Sequence, residues 1–162
     1  MQLYLVQHGA SKNETEDPQR GLTDEGRRVV EHMTHYLAAI GVAVERIEHN
    51  EKLRARQTAE ILAAALHPRD ETKLVSGIAP NDDVQSMRER LQTEVNDQML
   101  VGHLPLSCLV ATLLGIERNR TVVEFRMGGS SDSARNESGQ WTLLWAVIPE
   151  LLPALAPKRE AT

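Results

Sequence analysis

The stretch Leu5-Val6-Gln7-His8-Gly9-Ala10 decides how the rest of the chain is read. Together with Gln2, Leu3 and Tyr4 it forms a short, largely apolar run that stops at a histidine followed by a glycine. Its apolar positions are consecutive rather than alternating. That pattern predicts a strand over residues 2–7 that is buried on both faces. It recurs at Met99-Leu100-Val101-Gly102-His103, which predicts a buried strand over 98–101, again with a histidine just beyond its end.

Working outward, helical spacing takes over between these runs. Residues 23–40 predict a helix: Thr23 is a fitting N-cap, Val29, Val30, Met33, Tyr36, Leu37 and Ile40 share one face, and Gly41 suits the position after the C-cap. Residues 44–48 read as a strand despite their polarity. Residues 53–66 predict a second helix with Ile61, Leu62 and Ala65 facing inward. Val84, Met87, Leu91 and Val95 mark a third. A fourth starts at Pro105, well suited to a first helical position, and carries Leu106, Leu109, Val110, Leu113 and Leu114 to Gly115. Residues 121–127 read as a strand. Residues 128–139, rich in Gly, Ser, Asp and Asn, read as a mobile loop. Trp141 to Val147 is a further strand, and 149–162 is a tail that frays.

Strands alternating with helices predict an α/β fold, a three-layer αβα sandwich around a mostly parallel sheet, in one domain over residues 1–162. In such sheets ligands sit beyond the carboxyl ends of the strands. His8 and His103 both fall at that edge, so residues far apart in sequence share one crevice. Between them, Leu53-Arg54-Ala55-Arg56-Gln57-Thr58-Ala59 places an arginine at a helix start. Two imidazoles and such an arginine suggest a phosphate pocket with a histidine nucleophile. Taken singly, each has a plainer reading: His8 a satisfied histidine at a strand end, Arg54 a solvated first-turn arginine, His103 a capping histidine.

Composition narrows the classes. Aromatic residues make up 3% of the 162, so the core is aliphatic. The single Cys108 excludes an internal disulfide, fits a reducing, cytoplasmic setting, and reads as a small core residue. The net charge is −5, with no basic stripe interleaved with aromatics, which argues against nucleic acid. No leader pattern and no run of about 20 apolar residues point to a membrane. A monomer is the default.

Several segments together resemble the histidine phosphatase superfamily, the phosphoglycerate-mutase-like proteins, and most closely its small SixA-type branch. Gln7-His8-Gly9 is similar to the family's Arg-His-Gly. Arg20-Gly21-Leu22-Thr23-Asp24-Glu25-Gly26 resembles Arg-Pro-Leu-Thr-x-x-Gly, and Leu53 to Ala59 resembles Leu-Arg-Ala-x-Gln-Thr-Ala. His103-Leu104-Pro105-Leu106 and the ending Gly139 to Trp145 followed by Pro149 resemble the branch. The resemblance runs in order from end to end.

It implies that His8 attacks phosphorus and is transiently phosphorylated, with the Gly9 carbonyl selecting its tautomer. Arg54, His103 and Arg20, with Gly9 and with Gln7 as a weakened binder, then hold the phosphoryl oxygens as charge spreads over them. It implies no cofactor and no metal, and a phosphohistidine-carrying signalling or phosphotransfer protein as partner. Gln7 departs from the pattern, since the family's arginine there would add a charge. A neutral hydrogen bond is worth about half of a charge-assisted one. Losing one preorganised donor costs about 10²–10³ in turnover. A weakly active enzyme, a shifted substrate and a phosphate-binding pseudoenzyme stay open.

Asn50-Glu51 also departs from the family's Ser-Pro. For a general acid, Asp17, Glu51 and Asp83 are candidates by sequence only, each also readable as a solvated loop charge. Without an acid an alkoxide leaves poorly, which favours phosphoramidate substrates. His32 and His35 read as a solvated helix face rather than metal ligands. Gly128-Gly129-Ser130-Ser131 reads as a turn or flexible lip, without the lysine of a phosphate-binding loop.

Overall fold

The computed structural model describes residues 1–79, 82–103, 105–116 and 122–153. Its elements, in chain order, are β1 (Gln2–Gln7), α1 (Asp24–Ala39), β2 (Arg46–His49), α2 (Leu53–Leu66), β3 (Lys73–Leu74), α3 (Val84–Thr93), β4 (Gln98–Gly102), α4 (Pro105–Leu113), β5 (Ser130–Arg135) and β6 (Trp141–Val147), then a 3-10 turn at Pro149–Leu151. The strands form one sheet in the order β3-β2-β4-β1-β5-β6. The pairs β1–β4, β2–β4 and β2–β3 are parallel, while β5 runs antiparallel to β1 and to β6.

Alternation along the central strands builds two cores. Leu3 and Leu5 of β1 and Leu100 of β4 pack with Met87 and Leu91 of α3 and Leu106, Leu109 and Val110 of α4. Tyr4 and Val6, with Ile47, Met99 and Val101, pack with Met33 and Leu37 of α1 and Ala55, Ala59 and Leu62 of α2. Helices on both faces explain why β1 is apolar at consecutive positions. The fold is the expected three-layer αβα sandwich with a mostly parallel sheet.

Local chemistry sets the helix ends. Thr23 Oγ1 accepts from Gly26 N–H at 2.9 Å, and Asp24 and Glu25 occupy the positive end of α1. At the other end Gly41 takes φ +80°, which lets Gly41 N–H reach the Ala38 carbonyl and Val42 N–H the Leu37 carbonyl, each at 3.0 Å. No described helix is long and apolar enough to cross a membrane.

Several expectations are corrected. Residues 122–127 form no strand; Val122, Val123 and Phe125 pack on the α3/α4 core without pairing, and Thr121 lies outside the described residues. The expected mobile loop 128–139 instead contains β5, whose Ser130 to Ser133 are buried between β1 and β6. Only the glycine pair before it and the Asn136–Gly139 turn after it match the loop reading, and Gly129 N–H closes the first turn on the Arg126 carbonyl at 2.7 Å. On α2 the buried face is Ala55, Thr58, Ala59 and Leu62, with Ile61 and Ala65 only half-buried, because small alanines let the helix approach the sheet. α3 stops at Thr93, so Val95 is exposed. Cys108 is exposed on α4 rather than in the core. The two-residue β3 is too short to leave a sequence pattern. Of the expected tail, residues 154–162 lie outside the described residues.

Candidate active site

His8 follows the last residue of β1 and His103 the last residue of β4. These strands are parallel neighbours with Gln7 opposite Gly102, and His8 N–H extends the ladder to the Gly102 carbonyl at 3.1 Å. Neighbouring strands lie about 4.8 Å apart. The two imidazoles inherit that spacing: their centroids are 4.9 Å apart, with planes 17° from parallel. The second residue of α2, Arg54, enters from the neighbouring helix and is 9% exposed.

The His8 ring, 2% exposed, is held at both nitrogens. Nδ1 lies 2.8 Å from the Gly9 carbonyl oxygen, which can only accept. Arg54 Nε, which can only donate, lies 3.0 Å from Nε2. These partners put the ring proton on Nδ1 and leave Nε2 with a bare lone pair. Burial, chiefly, lowers the His8 pKa to about 4; the hydrogen bond to the Gly9 carbonyl opposes this, while Arg54, His103 and Arg20 push it down further. The ring is therefore neutral at pH 7. Burial lowers the His103 pKa as well, with Arg54 and Arg20 acting in the same sense, and its Nδ1 has no hydrogen-bond partner among the described residues. Arg54 is shifted downward by burial and by Arg20, but a guanidinium stays charged at neutral pH.

Arg20 sits exposed at the rim with φ +53°, its Nε 3.4 Å from the Lys12 carbonyl. Its charge reaches His8, His103 and Arg54. Its loop is anchored on both sides. Asp17 accepts from Gly21 N–H through Oδ2 at 2.8 Å and from Gln19 N–H through Oδ1 at 2.9 Å, and Gln57 Oε1 accepts from Leu22 N–H at 2.7 Å. Those backbone donors, Gly21 first, hold the Asp17 carboxyl below the usual range. A short bridge between Ser11 and Leu22 closes the loop's base.

The acid candidates are thus accounted for. Asp17 shapes a turn, Asp83 caps α3 by accepting from Gln85 N–H, and exposed Glu51 pairs with Lys52 at 2.8 Å. Asn50 is buried, donating to the Ile78 carbonyl at 3.2 Å and accepting from Lys52 N–H at 3.1 Å. Gln7 is buried in the strand directly before His8. Its N–H donates to the Gly129 carbonyl and its carbonyl accepts from Gly128 N–H, both at 3.0 Å, so the glycine turn reads as a brace for this strand end. The structure brings His8, Gly9, Arg54 and His103 together, with Arg20 at the edge. Leu104 of the fourth motif lies outside the described residues.

Two features were missed from sequence. Gly9 and Gly26 allow the loop after β1 to touch α1: a Cβ on Gly26 would lie 2.1 Å from the Ala10 carbonyl oxygen, and one on Gly9 2.7 Å from Val30 Cγ2. Thr58, wholly buried, donates to the Arg54 carbonyl at 2.8 Å and accepts from Gly9 N–H at 3.2 Å. Its position four residues after Arg54, on the same helix face, was the available signal.

No family model matches the chain. Phosphohistidine phosphatase SixA of Escherichia coli is 29% identical over 155 residues, spanning 92% of this chain and 94% of that protein. The solved structure of the protein histidine phosphatase SixA complexed with tungstate aligns with a TM-score of 0.84 at 28% identity, over 94% of this chain and 100% of that one. A phosphoserine phosphatase of Entamoeba histolytica shares the fold, with a TM-score of 0.68 at 14% identity, over 90% and 95% of the two chains. Paired histidines at adjacent parallel strand ends, an arginine from the next helix and this scaffold define the class: with the likeness to SixA over most of the chain they support the histidine phosphatase superfamily. Within that superfamily they support the SixA-like branch.

Proposed function

We propose that this protein is a phosphatase that works through a phosphorylated His8 and acts on protein phosphohistidine. The observation that carries the reading is the chain of hydrogen bonds from the Gly9 carbonyl through His8 to Arg54, which leaves a neutral ring with one bare nitrogen. In the first step an incoming phosphoryl group draws the Arg54 guanidinium onto its oxygens, and the freed Nε2 lone pair attacks phosphorus. The P–N bond to the substrate imidazole, which carries a proton on its other nitrogen, breaks, and its electron pair leaves with that ring as neutral imidazole. In the second step water attacks phosphorus, the P–Nε2 bond breaks, inorganic phosphate departs and neutral His8 is restored. Arg54, His103 and Arg20 bind the equatorial oxygens throughout. The loop bearing Gly9 sits where the helices leave it, and one domain over residues 1–162 holds the whole site.

The substrate class follows from the acid candidates. Asp17, Glu51 and Asp83 are committed elsewhere, and a leaving alkoxide needs a proton donor in the transition state. Imidazole leaves as a far weaker base. The SixA relative is named as a phosphohistidine phosphatase, which supports the same choice. A phosphohistidine-bearing signalling or phosphotransfer protein is then the partner.

Buried, neutral Gln7 favours a second reading: a pocket that binds phosphate or a phosphoprotein without turning it over. Brief incubation with a radiolabelled phosphohistidine donor separates the two. Acid-labile label at His8 together with phosphate release, both lost in His8→Ala, is the expected result. Tight phosphate binding with neither label nor release establishes the binding module instead. Gln7→Arg is expected to raise kcat, by up to about 10²-fold, if the missing charge is what limits turnover.

A further inference from the structure

We infer that Thr58 is a positioning residue for the His8 nucleophile; this rests on the role of His8 proposed above. Thr58 lies one helical turn after Arg54, and its hydroxyl is committed in a defined sense. It has one proton, and that proton goes back along α2 to the Arg54 carbonyl at 2.8 Å. What Oγ1 offers towards β1 is therefore a lone pair, which Gly9 N–H takes at 3.2 Å. The amide between His8 and Gly9 is tied to the turn of α2 that carries Arg54.

The tie joins the backbone of the two residues that hold the His8 ring through other groups: Gly9, whose carbonyl lies at Nδ1, and Arg54, whose guanidinium lies at Nε2. Gly9 has no side chain with which to fix itself. On one side it is wedged against Val30, Gly26 and Leu22; its amide on the other side is held by Thr58. Arg54 holds Nε2 in the resting site, but in the proposed first step it moves onto the phosphoryl oxygens and no longer fixes the ring. The hydroxyl of Thr58 is bonded to backbone on both sides, at Gly9 and at Arg54, and not to the ring. It acts by fixing the backbone at Gly9, whose own carbonyl, one peptide further on, selects the Nδ1–H tautomer.

The test compares Thr58→Val, which keeps the shape and removes the acceptor, with Thr58→Ser, which keeps the hydroxyl. The first readout is the pair of ¹⁵N shifts of the His8 ring, which needs no turnover. Wild type and Thr58→Ser are expected to show one protonated and one bare nitrogen. In Thr58→Val the two shifts converge. The second readout is hydrolysis of phosphohistidine, where Thr58→Val is expected to lower kcat roughly 10- to 100-fold, with KM little changed, and Thr58→Ser to restore it. A folded Thr58→Val that keeps the wild-type tautomer and rate overturns the inference, as does a folded Thr58→Ser that restores neither. Should Thr58→Val fail to fold, the Gly9 amide in wild type decides: slow hydrogen exchange supports the tie and solvent-like exchange refutes it. Wild type without turnover, but with a single His8 tautomer that Thr58→Val scrambles, defeats the phosphatase reading and leaves this inference standing.

Discussion

In the proposed reaction His8 is prepared for attack by its surroundings rather than by its own chemistry. A histidine in water is half charged near pH 6.5, and a protonated ring has no lone pair to give. Burial beside two arginines and a second imidazole brings the pKa to about 4. An NMR titration of the ring is expected to give a midpoint near that value, and kcat/KM is expected to fall on its acid side as pH drops through it. A midpoint near 6.5 would mean that the ring is solvated and the cup open. The same reasoning fixes what Gln7 changes: the two guanidiniums keep their charge at any working pH, whereas the amide contributes none.

Among the elements, the junction of the loop after β1 with the head of α1 has the least room. An alanine at Gly26 would gain helix propensity, worth at most about 1 kcal/mol. Its Cβ would meet the Ala10 carbonyl, however, and backbone cannot swing aside as a flexible side chain can. Overpacking typically costs 1–3 kcal/mol, so Gly26→Ala is expected to lower stability by about 1–2 kcal/mol net in urea unfolding. It should also slow turnover, because Ala10 is two residues from His8. A variant as stable as wild type would show that the junction is loose. The same elements show how much was legible in the sequence. β1, β4 and the four helices carry their burial in their side chains, so periodicity and caps located them, and the histidines at the strand ends came with them. β5 does not: Ser-Ser-Asp-Ser has the composition of a turn and is a strand only because β1 and β6 flank its backbone. Val122 to Phe125 is the converse, a β-prone run that packs without a partner. Gln57 went unseen because its work is one hydrogen bond to loop backbone, and Thr58, although its spacing from Arg54 pointed to it, because both partners of its hydroxyl are backbone groups that leave no mark in the sequence.

At the scale of the whole molecule, two buried groups pull the pH dependence of stability in opposite directions. The His8 pKa is depressed on folding, so between about 6.5 and 4 the unfolded chain binds the extra proton and stability falls as pH falls, by about 3 kcal/mol in all. Asp132 has the reverse sign. Buried between Tyr4 and Trp145 in the register of the sheet, it is raised to about 6 by desolvation and then by Asp97. The folded chain holds that proton between about 3.8 and 6, so stability falls as pH rises through this window. Asp132→Asn is accordingly expected to stabilise the protein at pH 7.5 by about 2 kcal/mol and to have little effect near pH 4, as read from the urea midpoint at each pH. An equal effect at both would mean that the carboxylate is not desolvated.

The bond from Arg54 to the bare nitrogen of His8 gives the resting cup a latch. In the proposed reaction the attacking electron pair is covered until something with enough negative charge pulls the guanidinium off it. Uncharged electrophiles meet a capped atom, while a doubly ionised visitor uncaps it by arriving. Discrimination thus begins before any fit to the visitor's shape, in a contest between one imidazole and one anion for the same cation.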